Sequence, residues 1–208
     1  MMHDKITNLP ELPYYGNIDD NNRQQPLPMS PTTGYEYEYD PEWWEKFPYA
    51  KYHNCYDYAM GRFNFAEQDK TQPGSLNGAE FSDEIYTCDM IEARMSDDYP
   101  DARKVLFEEK CADREYKIAM LVAPGETPLK LRSDFHFMRQ DSTGLWSHKA
   151  GENMPIDTDG DNKPINAPHT ANRNTGLYNY SDLCGYWCVK RKDVLTGNTS
   201  NMTNEITT

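Results

Sequence analysis

Asp134-Phe135-His136-Phe137-Met138-Arg139-Gln140-Asp141-Ser142-Thr143-Gly144-Leu145-Trp146-Ser147-His148-Lys149 is the stretch on which the fold turns. Residues 134–140 alternate in polarity as a half-buried strand does. Asp141-Ser142-Thr143-Gly144 is turn chemistry, and residues 145–149 form the return strand of a hairpin. Successive strand side chains point to opposite faces, so Phe135 and Phe137 share one face and His136, Met138 and Gln140 the other. The length of the turn decides where His148 goes. An odd-length loop places it on the face of His136, whereas a loop of two or four residues puts Ser147 and Lys149 there instead. The odd loop is the expectation.

Working outward, Tyr116–Val122 reads as a strand closed by Pro124-Gly125, and Gly185–Val189 as the last strand. A second hairpin is expected from Met154-Pro155-Ile156, through Asp159-Gly160-Asp161-Asn162, to Ile165. Upstream, Asn54 is a good N-cap for a short helix over Cys55–Met60 that stops near Gly61. Ser82 is expected to cap a second helix, in which Ile85, Cys88, Ile91 and Met95 recur at helical spacing ahead of Pro100. Lys104–Glu109 fits helix or strand. Helices first and hairpins afterwards predict an α+β domain, with N-terminal helices packed on an antiparallel sheet.

That domain is expected over residues 49–190. Residues 1–48 read as an extended arm, because Pro10, Pro13, Pro26, Pro28, Pro31, Pro41 and Pro48 forbid a long helix or a central strand. Its Tyr-rich run, Tyr35-Glu36-Tyr37-Glu38-Tyr39, with Trp43 and Trp44, could lie on the core or hold a protein partner in an assembly. Residues 191–208 read as a polar C-terminal tail.

The 208 residues carry 21 Lys and Arg against 34 Asp and Glu, a net charge of −13. That balance argues against nucleic acid and against an anionic membrane as partners. Mean hydropathy is −0.93, yet 15 Tyr, 7 Phe and 4 Trp are enough aromatic surface for a folded core. No apolar run approaches the roughly 20 residues of a membrane span. Met1-Met2-His3-Asp4-Lys5 does not open a signal peptide, so a cytoplasmic or virion-associated protein is the expectation. Five cysteines, Cys55, Cys88, Cys111, Cys184 and Cys188, are then expected to be reduced.

Cys55 at a helix start is where unpaired N–H groups favour a thiolate, and His136 is a candidate base on a strand. Asn54-Cys55-Tyr56 opening a helix, Asp134-Phe135-His136 on a strand and a polar residue on the next strand resemble the papain-like cysteine hydrolase superfamily. The closest branch is the bacterial and phage cell-wall amidases (NlpC- and CHAP-like). The resemblance covers residues 50–190 in layout. It implies a papain-like fold in which Cys55 is the nucleophile, His136 the general base and His148 the third member. It also implies a peptide or amide substrate and no cofactor. The competing reading is a non-catalytic structural or interaction protein on the same fold, such as a virion or phage component. In that reading Cys55 is a small buried hydrophobe and the histidines are structural.

Metal sites are weaker readings. Asp157-Thr158-Asp159-Gly160-Asp161-Asn162 has alternating oxygen ligands but lacks the glycine and acid positions of an EF-hand, so a turn is expected. Cys184 and Cys188 would share one face of a regular strand about 13 Å apart, too far to join His136 and His148 around one zinc ion.

Overall fold

The computed structural model describes residues 29–46, 48–63, 70–80, 85–125 and 133–192. Its helices are α1 (Pro41–Lys46), α2 (Cys55–Ala59) and α3 (Cys88–Asp98), with single 3₁₀ turns at Pro48–Tyr52 and Ser75–Asn77. The strands are β1 (Arg103–Val105), β2 (Glu115–Ala123), β3 (Asp134–Gln140), β4 (Trp146–Lys149), β5 (Pro155–Ile156) and β6 (Asp182–Lys190). They form one six-stranded antiparallel sheet in the order β1-β6-β2-β3-β4-β5. The chain is α+β.

The sheet is covered on both faces, so β2 at its centre is buried at every residue. Tyr116, Ile118, Met120 and Val122 meet α2 and α3 through Tyr56, Ala59, Met60, Ile91 and Met95. Ala119, Leu121 and Ala123 face the other way, onto Trp146 of β4 and onto Phe107, Ile165 and Tyr180 from the loops. Helices lie on one face and irregular chain on the other.

Helix α3 starts later than its spacing predicts. Thr87, not Ser82, is the N-cap, its hydroxyl accepting the Met90 N–H at 3.3 Å. Ile85 is 68% exposed, so it is not part of the buried stripe. Ser82 itself lies outside the described residues. The ambiguous Lys104–Glu109 segment resolves into the short edge strand β1 and a turn.

The expectation of reduced cysteines is corrected. Cys88–Cys184 and Cys111–Cys188 are disulfides, and Cys55 is the free thiol. The placement depends on a β-bulge. Met120 pairs with Gly185 and Leu121 with Leu183, so Cys184 is an extra residue in β6. Beyond that slip the alternation is inverted. Cys184 therefore packs on the helix side and reaches Cys88 of α3, while Cys188 sits among the loop-side residues and reaches Cys111. Gly185 holds the bulge at φ +142°, where an added Cβ would meet the Lys104 side chain at 3.0 Å. A regular strand would have put both sulfurs on one face.

The described part of the Tyr-rich arm is built into the fold. Tyr37 forms a parallel bridge with Asp141, and its carbonyl accepts the Ser142 N–H at 2.9 Å. Arg139 lies between the rings of Tyr37 and Tyr58, 4.9 and 4.0 Å from their centroids. It pairs with Asp141 at 3.1 Å and donates to the Glu38 carbonyl at 3.1 Å. Trp44 is buried against His53 and Tyr58.

Each disulfide closes a long loop, of 77 and 96 residues in sequence separation. Replacing Cys88 and Cys184 together by Ser is expected to lower unfolding free energy by about 2–5 kcal/mol. Urea unfolding should show a lower midpoint than the parent protein under oxidising conditions and none of that difference after full reduction of both. A variant as stable as the parent under oxidising conditions would show that the helix-side staple carries no stability.

Candidate functional site

Asn54 fixes the start of α2 through a capping box. Its side-chain oxygen accepts the Tyr56 and Asp57 N–H groups, at 2.9 and 3.0 Å, and Asp57 accepts the Asn54 N–H at 3.0 Å. The Asn54 amide also donates to the Thr71 carbonyl at 2.7 Å. Cys55 is thereby held at the first turn, but buried rather than presented. Its sulfur lies 3.9 Å from the Phe135 carbonyl, to which the thiol donates. Burial, reinforced by the Asp134 carboxylate, pushes the thiol up to about 12. The expected thiolate-favouring environment is the reverse of what forms, because α2 is only five residues long and the sulfur is desolvated.

The histidines do meet. Met138 pairs with His148 and Gln140 with Trp146, a five-residue connection that puts His136 and His148 on one face. His136 Nε2 lies 2.8 Å from His148 Nδ1, and His148 Nε2 lies 3.2 Å from the Thr158 carbonyl. A carbonyl can only accept, so His148 carries its proton on Nε2 and accepts at Nδ1. His136 then donates from Nε2, which leaves its Nδ1 as a bare acceptor. Burial first, and the neighbouring imidazole second, hold His136 well below the usual histidine range. His148 is lowered by burial, against the opposing pull of the Thr158 carbonyl and Asp157. Both rings are neutral near pH 7. Among the described residues, no hydrogen bond joins the Cys55 thiol to either ring.

Cys55, His136 and His148 all line one groove of about 850 Å³. Residues that sequence patterning missed complete it. Lys70 pairs with Glu152 at 3.0 Å on the rim. Tyr180 donates to Asp134 at 2.7 Å, and its ring centroid is 5.0 Å from that of His136. The Tyr178-x-Tyr180 alternation was the available signal. The Asp157–Asn162 segment is a turn organised by Asp159, whose carboxylate accepts the N–H groups of Asp161, Lys163 and Asn172. The zinc quartet is not assembled, since Cys184 and Cys188 are on opposite faces and in separate disulfides. Cys111, Cys188 and Glu115 bring ligand atoms within 4.8 Å of one another, but the two sulfurs are bonded to each other and offer no thiolate.

The histidine pair makes a pH prediction. A folded value below the unfolded one gives stability that is present above about pH 6.5 and lost as pH falls through the folded values. Asp57, Asp134 and Asp141, the last raised to about 6, act in the opposite sense over part of that range. Comparison with His136→Gln isolates the imidazole. Between pH 6.5 and 4.5 the parent should lose stability relative to the variant, by up to about 1.4 kcal/mol per pH unit. Parallel urea titrations at several pH values measure it, and equal slopes would overturn the assignment.

No family model matches the chain, and no solved structure matches it. It is 32% identical over 152 residues to "Insoluble matrix shell protein 1" of Ruditapes philippinarum, an alignment covering 71% of this chain and 86% of that protein. This relationship overturns the expectation of a cysteine hydrolase built on Cys55, His136 and His148. The peptidase and amidase readings fall with it. The protonated, buried thiol, unbonded to the neutral imidazoles, agrees with that correction. At this identity and coverage the chain belongs to the same family as the insoluble matrix shell protein 1 of Ruditapes philippinarum.

Proposed function

We propose that this chain is a non-catalytic structural component of an insoluble, shell-type protein matrix. The observation that carries the reading is its 32% identity to a protein named for such a matrix, across most of that protein's length. Two further features support it. Paired disulfides on both faces of one strand suit an oxidising, extracellular setting rather than a reducing cytosol. The one free thiol is buried and held protonated, as suits packing rather than turnover. The papain-like layout enters only as scaffold: a Cys-headed helix against an antiparallel sheet, used without chemistry.

Assembly with other proteins is part of the proposal, and the N-terminal arm is its vehicle. Within residues 29–45, Tyr37 and Trp44 are buried in this chain's own core, Tyr37 against Arg139 of β3. The part assigned to partners is therefore residues 1–28, which lie outside the described residues.

Sequential extraction of the source's extracellular material, with salt, then detergent, then denaturant plus reductant, tests the reading. The chain should be found in the last fraction. Recombinant full-length protein should co-sediment with that material, and removal of residues 1–28 should abolish co-sedimentation without lowering the melting temperature. Recovery of the chain in the cytosolic extract, or thiol-dependent amide hydrolysis lost in Cys55→Ala, would overturn the proposal.

A further inference from the structure

The groove over the histidine pair has a chemistry that neither the structural role nor the family relationship uses. Three rings descend into it at shallow angles to one another. Tyr178 and Tyr180 have centroids 5.9 Å apart at 35°, and Tyr180 and His136 are 5.0 Å apart at 31°. Tyr178 is half-buried near the exposed loop, while Tyr180 and His136 are buried at the floor. Around them are side-chain amides. Those of Gln72, Asn153 and Asn162 make no hydrogen bond among the described residues, and Asn174 uses only its oxygen, for the Gly176 N–H. The bare Nδ1 of His136 adds an acceptor.

Four of the five charged residues of the groove are occupied. Lys70 and Glu152 pair with each other, Asp134 holds Tyr180, and Asp159 is filled by three backbone N–H groups. Arg173 donates from Nη2 to the Ser181 carbonyl, leaving a buried Nη1 without a partner as a further donor. Two cationic and three anionic side chains line the groove in a chain of net charge −13, which disfavours an anionic ligand. An extended peptide needs a strand edge to pair with, and the nearby edge strand β5 is two residues long and begins with Pro155, which has no N–H. What remains is apolar ring surface rimmed by neutral amide donors and acceptors, with one Arg173 N–H beside them. That combination suits sugar rings, which offer a C–H face for stacking and hydroxyls for amides.

We propose that this groove binds a neutral polysaccharide chain, one sugar stacking on Tyr178 and its neighbours hydrogen-bonding the amides of Gln72, Asn153 and Asn162. The inference goes beyond the matrix role and stands on the groove alone.

Isothermal titration of the full chain tests it. The probes are neutral hexasaccharides of β-linked glucose and of β-linked N-acetylglucosamine, with an uncharged Gly/Ser/Asn dodecapeptide as the competing class. At least one hexasaccharide should bind, and Tyr178→Ala should weaken it about five- to tenfold. The double variant Gln72→Ala/Asn153→Ala, at exposed or half-exposed rim positions, should also weaken binding with an unchanged melting temperature. It keeps the test decisive if the Tyr178 variant folds poorly. The proposal is overturned if neither sugar binds, if binding ignores both variants, or if the peptide alone binds in a Tyr178-dependent way. Retention in the insoluble fraction is read separately, so either proposal can fail without the other.

Discussion

One extra residue in β6 governs the layers of this protein. Had the strand run regularly, Cys184 and Cys188 would have faced the same way, and only one covering layer could have been bonded to the sheet. The bulge at Cys184, held by Gly185 at positive φ, turns one sulfur to α3 and the other to the loop carrying Cys111. Helix layer, sheet and loop layer are thus covalently joined through a single strand next to the fully buried β2. A small sheet with short helices and much irregular chain needs such ties, because its loops bring little regular packing of their own.

Buried cations solve the same problem by non-covalent means. Lys149 sits on the helix side and donates to the carbonyls of Ala50, His53 and Gly151. Lys117 sits on the loop side and donates to Ser30 and to the carbonyls of Phe107 and Glu109. Arg139 joins the arm to α2 through two tyrosine rings and the Glu38 carbonyl. Each of these cations satisfies backbone oxygens that irregular chain leaves without a ladder. Burial brings both lysines down to about 8, so the ammonium form still predominates at neutral pH. Removing such a side chain would strand several acceptors at once, a larger loss than one hydrogen bond.

Regular elements were legible in the sequence where one physical signal dominated. The alternation of residues 134–140 gave β3 to the residue, and Asn54 marked the first turn of α2. The helix after Pro73 was read too early because Ile85 and Ser82 imitate a helical stripe and cap, whereas Thr87 wins by actually accepting the Met90 N–H. The disulfides were not legible: their pairing depends on a bulge, and the bulge on one glycine's conformation, which no periodicity encodes. The arm's Pro-rich composition argued against a long helix or a central strand; among its described residues a six-residue helix, α1, does form, and composition could not show that Tyr37 bridges Asp141.

The candidate site shows where spacing stops being informative. A helix-borne cysteine, a strand histidine and a second histidine in register are all present, and two of the three are hydrogen-bonded. Catalysis asks for more than position: the thiol must ionise and the base must reach it. Here desolvation and the Asp134 carboxylate oppose ionisation, the thiol is turned to a backbone carbonyl, and burial keeps the imidazoles from taking up a second proton near neutrality. These are properties of local dielectric and side-chain direction, which follow from the packed core rather than from residue order. The same residues that seem to announce a nucleophile therefore serve as floor and wall of a groove. Its open chemistry lies in rings and amides that carry no catalytic signature at all.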